Sequence, residues 1–148
     1  MNHLIKLGLL GCLLALSGCQ EKTPEKVTQW PLQKTCDLHH NTCLAEVKDA
    51  KVSLTINPQP IPIARPLGIT VMIDGLAAQQ VELDISGVNM YMGYNRIPLT
   101  STKPGRFVGT SMLAFCTTDK MEWQVTVMIQ QPNGEQVQVP FLLETQNN

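Results

Sequence analysis

The chain has 148 residues, with 11 Lys+Arg against 12 Asp+Glu and a formal net charge of −1. That length suits one domain with one core. It carries no basic run or patch, so nucleic acid is not an expected partner.

The first nineteen residues set the expected compartment. Lys6 supplies a short positive region, and Leu7 to Leu16 form an apolar run interrupted only by Gly8 and Gly11. Leu16-Ser17-Gly18-Cys19 follows, with the small side chains before a cysteine that a signal peptidase's narrow cleft requires. This resembles the bacterial lipobox, which implies cleavage before Cys19 and thioether linkage of its thiol to diacylglycerol. The apolar run is shorter than the about 20 residues that cross a bilayer, and polar sequence follows at once. The expectation is a signal peptide over 1–18 and a membrane anchor at Cys19, held at about 0.8 kcal/mol per buried CH₂ of acyl chain. Cleavage would remove Lys6 and no acid, taking the net charge from −1 to −2. Gln20, rather than Asp, follows the cysteine. By resemblance to the enterobacterial sorting rule this favours the outer membrane over the inner, with the protein facing the periplasm.

Residues 19–34 are polar, contain Pro24 and Pro31, and read as a flexible tether. Trp30 is where ordered contacts are expected to begin, and 35–146 is the expected domain.

From there a period of two recurs. Val52, Leu54 and Ile56 alternate with polar residues, as do Leu67, Ile69, Val71 and Ile73, then Val81, Leu83 and Ile85. Met121, Trp123, Val125, Val127 and Ile129 form the longest stripe, and Val137, Val139, Phe141 and Leu143 close the series. Turn signals separate the runs at Asn57-Pro58, Asp74-Gly75, Pro104-Gly105 and Pro132-Asn133-Gly134. Short alternating runs punctuated by turns predict an all-β, antiparallel sandwich of immunoglobulin-like type. About seven strands are expected, over 49–56, 67–74, 79–87, 88–94, 106–116, 121–131 and 135–144.

Of the five cysteines, Cys12 would leave with the leader and Cys19 would be lipidated. Outside the cytoplasm thiols tend to pair. Cys36 and Cys43 enclose a short loop and form one candidate disulfide, worth about 2–3 kcal/mol. Pairing of Cys116 with either remains open, as does a buried, inert Cys116. If reduced, Cys36, His39, His40 and Cys43 would offer nitrogen and sulfur to zinc, whereas a disulfide leaves only the two imidazoles.

The most unusual stretch is Gly87 to Arg96. On an extended chain Met90 and Met92 share a face. Met112, Cys116 and Met121 follow downstream. Thioethers and a thiolate are soft ligands that select Cu(I), so Met90, Met92, Cys116 and Met121 are the candidate metal ligands. The alternative is that these methionines fill an irregular part of the core.

Met90-Tyr91-Met92-Gly93-Tyr94-Asn95, Gly105-Arg106-Phe107, Leu113 with Cys116, and Met121-Glu122-Trp123 together resemble the YtkA-like and FixH-like periplasmic domains. The resemblance covers roughly 67–130. It implies an immunoglobulin-like or cupredoxin-like sandwich and a role in copper handling or cytochrome oxidase assembly. The His-Met pairs of many periplasmic copper chaperones are missing, since the mature chain's histidines are His39 and His40.

No Gly-x-Ser-x-Gly elbow, His-Glu-x-x-His or phosphate loop occurs, and the chain is not expected to be an enzyme. Two functions follow as expectations. One is a lipid-anchored Cu(I)-binding protein that serves a copper-acceptor protein. The other is a non-catalytic immunoglobulin-like module that engages a protein of the cell envelope.

Overall fold

The structure is a computed structural model and describes residues 23, 24 and 26–147. The expected signal peptide and the lipidated Cys19 lie outside the described residues. The fold is all-β, with no helix among the described residues. Nine strands occur in place of about seven. They are β1 (Lys26–Gln29), β2 (Cys43–Val47), β3 (Ala50–Asn57), β4 (Leu67–Asp74), β5 (Gln80–Gly87), β6 (Arg96–Lys103), β7 (Arg106–Ser111), β8 (Lys120–Gln130) and β9 (Glu135–Gln146).

They form one curled, mixed sheet in the order β1-β9-β8-β5-β6-β7-β4-β3-β2. Seven of its pairings are antiparallel, and β1 runs parallel to β9. β6 makes the curl. Its first half, Arg96–Leu99, pairs with β5, and from Thr100 onward it pairs with β7.

The alternation read from the sequence faces one core. Val52, Leu54, Leu67, Ile69, Val71, Leu83, Val125, Val127 and Val139 are all essentially buried. Each large aliphatic side chain withdrawn from water in this way contributes about 1.5–3 kcal/mol. Trp123 is buried too, and its indole N–H donates to Thr145 Oγ1 at 2.9 Å, so the ring enters the core with no lost hydrogen bond. In the β6–β7 turn, Gly105 takes φ of 74°, a left-handed conformation that glycine adopts without penalty.

Three expectations need correction. Residues 88–94 are a loop, not a strand. Asn89 explains the break: its side chain caps the start of β8, donating to Lys120 O at 2.9 Å and accepting from Glu122 N–H at 3.0 Å. The expected strand 106–116 ends at Ser111. Finally, the stretch read as tether is ordered from residue 26. All four residues of β1 are exposed, yet the backbone pairs from Lys26↔Glu135 to Gln29↔Gln138. Trp30 N–H then donates to Gln138 O, and Gln33 bridges to Phe141. Backbone pairing orders this segment where side-chain burial does not.

Trp30 is the first core side chain after the polar segment, at 6% exposure. Trp30→Ala is expected to destabilise the fold by about 3–5 kcal/mol. Urea unfolding with an unchanged slope is the check.

Candidate functional site

Two loops meet where the two halves of the sheet part. One is 88–95, between β5 and β6. The other is 112–119, between β7 and β8. Hydrogen bonds join them across the gap. Ile85 N–H donates to Asn95 O at 2.9 Å, Asn95 Nδ2 donates to Met112 O at 3.0 Å, and the Ser111 hydroxyl donates to Asn95 Oδ1 at 3.2 Å. Gly87 is required at the root of the first loop. A Cβ there would stand 2.0 Å from the Met90 carbonyl oxygen and 3.0 Å from Met92 Cγ.

The loops bring Cys116 and Met90 together. Cys116 Sγ lies 3.3 Å from Met90 Sδ, and the Thr118 hydroxyl is 3.5 Å from the thiol and 3.7 Å from the thioether. Cys116 is buried at 5% exposure, while Met90 is 40% exposed, so the pair has one sealed and one open member. Hydrogen bonds to the sulfur from the Thr118 hydroxyl, then from the backbone N–H groups of Thr118 and Thr117, hold the thiol below its ordinary pKa. Partial burial opposes this and loses. The outcome is a thiol that ionises more readily than an ordinary cysteine, beside a thioether.

Met92 and Met121 are placed elsewhere. Met92 lines a cleft of ≈ 540 Å³ with Met112, Tyr94, Ile97 and the floor residues Ile85 and Trp123. Met121 is wholly buried in the inward stripe of β8 and belongs to the core. The pairing of these sulfurs was therefore legible in residue type and only partly in position. Thr118 was missed. Its signal was the run Thr117-Thr118-Asp119 directly after Cys116, a turn composition that aims donors back at the preceding residue.

Exposed large apolar side chains concentrate on these two loops, beside the polar Asn89, Thr117 and Asp119. Val88, Met90, Tyr91, Tyr94, Met112 and Phe115 are six of the nine large apolar side chains exposed among the described residues, and all lie on these two loops. Phe115 faces a second concavity with Leu38, His39 and Ile61, while Tyr94 and Met112 line the cleft that holds Met92.

The second candidate cluster resolves as structure. Cys36 and Cys43 form a disulfide, and Cys116 is free. Ile61 N–H donates to His39 Nδ1 at 3.0 Å, so the ring proton is on Nε2, which donates to Glu144 O at 2.6 Å. Both nitrogens are thus engaged in tying the disulfide loop to β9 and to the 58–66 connection. His40 Nδ1 lies 2.7 Å from Asp37 Oδ2. That contact, followed by the His39 backbone N–H, holds Asp37 below the usual carboxylate range. Among the described residues no three or more His, Cys, Asp or Glu side chains gather as a metal site.

No family model matches the sequence, and no curated protein matches it.

His39→Ala removes two tertiary hydrogen bonds and is expected to cost about 1–2 kcal/mol. His40→Ala, at an exposed ring, is expected to cost less. Chemical denaturation of both variants is the comparison. For Cys116 the lowered pKa adds stability that is fully present above the unfolded thiol's pKa and is lost as pH falls through the folded one. Thiolate absorbance, read against a Cys116→Ser blank, should titrate below the ordinary thiol range. Thr118→Val should move that midpoint up.

Proposed function

We propose that this chain is a lipid-anchored envelope protein that binds one Cu(I) ion through the Cys116 thiolate and the Met90 thioether. A single observation carries the reading: Met90 Sδ lies 3.3 Å from Cys116 Sγ, on loops at an accessible end of the sheet. Two soft sulfurs, one with a pKa lowered by donated hydrogen bonds, make a donor set suited to a soft monovalent ion. The pair needs little rearrangement to take an ion between its sulfurs, because Met90 is an exposed, unbranched side chain on a loop. Met121 serves the core in this reading, and Met92 serves the neighbouring cleft. The role is binding and transfer, without catalysis.

The anchor belongs to the same proposal. The Leu-Ser-Gly-Cys19 pattern supports a periplasm-facing protein, with the outer membrane favoured by Gln20. For the finer architecture we infer an immunoglobulin-like sandwich, in which the β2-β3-β4-β7 half covers the β9-β8-β5 half and β6 serves both. Buried side chains from both halves in one core support this. A second reading, an interaction module of the envelope with no metal, is favoured by the six exposed apolar residues on the two loops.

Competition for Cu(I) against a chromogenic chelator separates the two. The copper reading expects one equivalent bound. It expects loss of that equivalent in Cys116→Ser, weakening of at least about tenfold in Met90→Leu, and retention in Met92→Leu. Leucine keeps the volume of methionine, so the fold should survive both leucine substitutions. A parent chain that never competes leaves the interaction module standing.

A further inference from the structure

β9 outlasts the neighbour on its outer edge. The backbone groups of successive residues in a strand face opposite sides. Glu135 O and Asn147 N–H face the β8 side, where they meet Gln131 and Asp119. Gln138 O, Pro140 O and Leu142 N–H face outward and meet Trp30 and Gln33. Gln33 is the last residue to bridge, and Thr35, the next in register, makes no backbone bond to β9. There the Cys36–Cys43 disulfide carries the chain toward β2. Farther along the same edge, Glu144 O takes the His39 ring N–H. The backbone N–H groups of Glu144 and Gln146 face the same way and have no partner among the described residues.

A concavity of ≈ 890 Å³ lies beside these two donors, within the about 300–1,000 Å³ typical of ligand sites. Its far wall is Ile61 to Ala64, part of a 58–66 connection that carries four prolines. That connection is pinned at three points. Gln59 Nε2 donates to Leu38 O at 3.2 Å, Ile61 N–H to His39 Nδ1 at 3.0 Å and Ala64 N–H to Leu113 O at 2.8 Å. A wall so fastened, and stiffened by proline, loses little freedom when something lies against it. Phe115, at 66% exposure, adds an apolar ring from the 112–119 loop. Of the carboxylates that line the groove, Asp37 is held by His40 and Glu144 by Lys120. Its one ammonium, Lys34, makes no ion pair among the described residues.

The spacing selects the occupant. N–H groups two residues apart on a strand stand about 6.8 Å apart, the repeat at which an extended peptide presents carbonyls on one side. From Leu142 to Asn147 the edge runs about 17 Å, room for about five extended residues. We propose that this groove binds an extended peptide segment of another protein, added beside the end of β9 as a further strand. Its carbonyls accept from the Glu144 and Gln146 N–H groups, an acidic residue meets Lys34, and apolar side chains lie against Ile63 and Phe115. Main-chain bonds give such a segment its hold, and the walls give it its side-chain preference. The groove uses neither sulfur of the Met90–Cys116 pair, so this inference stands or falls apart from the Cu(I) and lipid-anchor readings.

The test is selection of random octapeptides, displayed on phage, against the immobilised full chain. Selected peptides are expected to alternate apolar residues and to carry Asp or Glu at one end. Selection against Lys34→Glu, a change at an exposed position, is expected to replace that acid with Lys or Arg. A synthesised winner should bind at least about tenfold more tightly than its fully N-methylated twin. It should also slow amide hydrogen exchange at Glu144 and Gln146 by at least about tenfold. No enrichment, an unchanged preference with Lys34→Glu, or equal binding of the N-methylated twin overturns the inference. Protection at Leu44 and Glu46 instead moves the peptide to the edge of β2 and overturns it too. Self-association that a winner disperses and Lys34→Glu abolishes gives the groove to a second copy, which also overturns it.

Discussion

A β-strand has two hydrogen-bonding edges, and β6 divides its length between its two neighbours instead of pairing with both throughout. It pairs with β5 over Arg96–Leu99 and with β7 from Thr100 onward, with a register shift between Ser101 and Lys103. That division turns the sheet back over its own core. Leu99, the one buried side chain of β6, sits at the changeover. Both neighbours outrun β6. β5 continues through Ile85 to Gly87 with β8 alone, and β7 continues through Gly109 to Ser111 with β4 alone. The ends left unbridged form a mouth that no ladder can close. Asn95 spans it instead, with its backbone carbonyl on Ile85 and its side chain on Ser111 and Met112.

The chemistry of the mouth follows from that absence of ladder. Where strands pair, backbone groups satisfy one another and side chains only fill space. In the two loops, side chains have to supply hydrogen bonds to the backbone, and Asn89, Asn95 and Asn147 do so. Asn147 also donates its backbone N–H to Asp119 O, so the end of β9 shapes the turn that aims Thr118 at Cys116. The lowered pKa of the thiol thus depends on a turn held from two sides. Its contact with Met90 depends in turn on Gly87, whose missing side chain lets the first loop fold back onto β5.

The strands that bury one face were legible in the sequence, because a period of two with a buried face has one register that works. β3, β4, β5 and β8 differ from their expected bounds by at most a residue at either end. β6 was not legible. Its run Arg-Ile-Pro-Leu-Thr-Ser-Thr-Lys buries one side chain, so no alternation marks it. β1 was hidden for the same reason, with every side chain exposed. Residues 88–94 erred in the opposite direction. Val88, Met90 and Met92 do alternate, but the capping by Asn89 is a tertiary interaction 31 residues away and leaves no local period. The candidate site was legible as a set of soft sulfurs. Which two of them meet was decided by loop geometry, and the inward stripe that contains Met121 already placed that residue with Trp123 in the core.

The polar segment before the core gives the molecule a direction. From Lys26 the chain runs parallel to β9, pairing at Glu135, then bridging to Phe141 through Gln33, and reaching Glu144 through His39. The Cys36–Cys43 disulfide closes the loop that carries His39 and leads into β2 at the opposite edge of the sheet. The segment that begins at Lys26 is therefore not attached to the sheet at a single point. It is fastened along nearly the whole length of β9, from the Glu135 end to the end that carries the sulfurs. The exposed side chains of β1 make no apolar contribution to the core. What they leave free is the backbone, and backbone pairing is enough to hold the sulfur-bearing rim at a fixed distance from the point of entry.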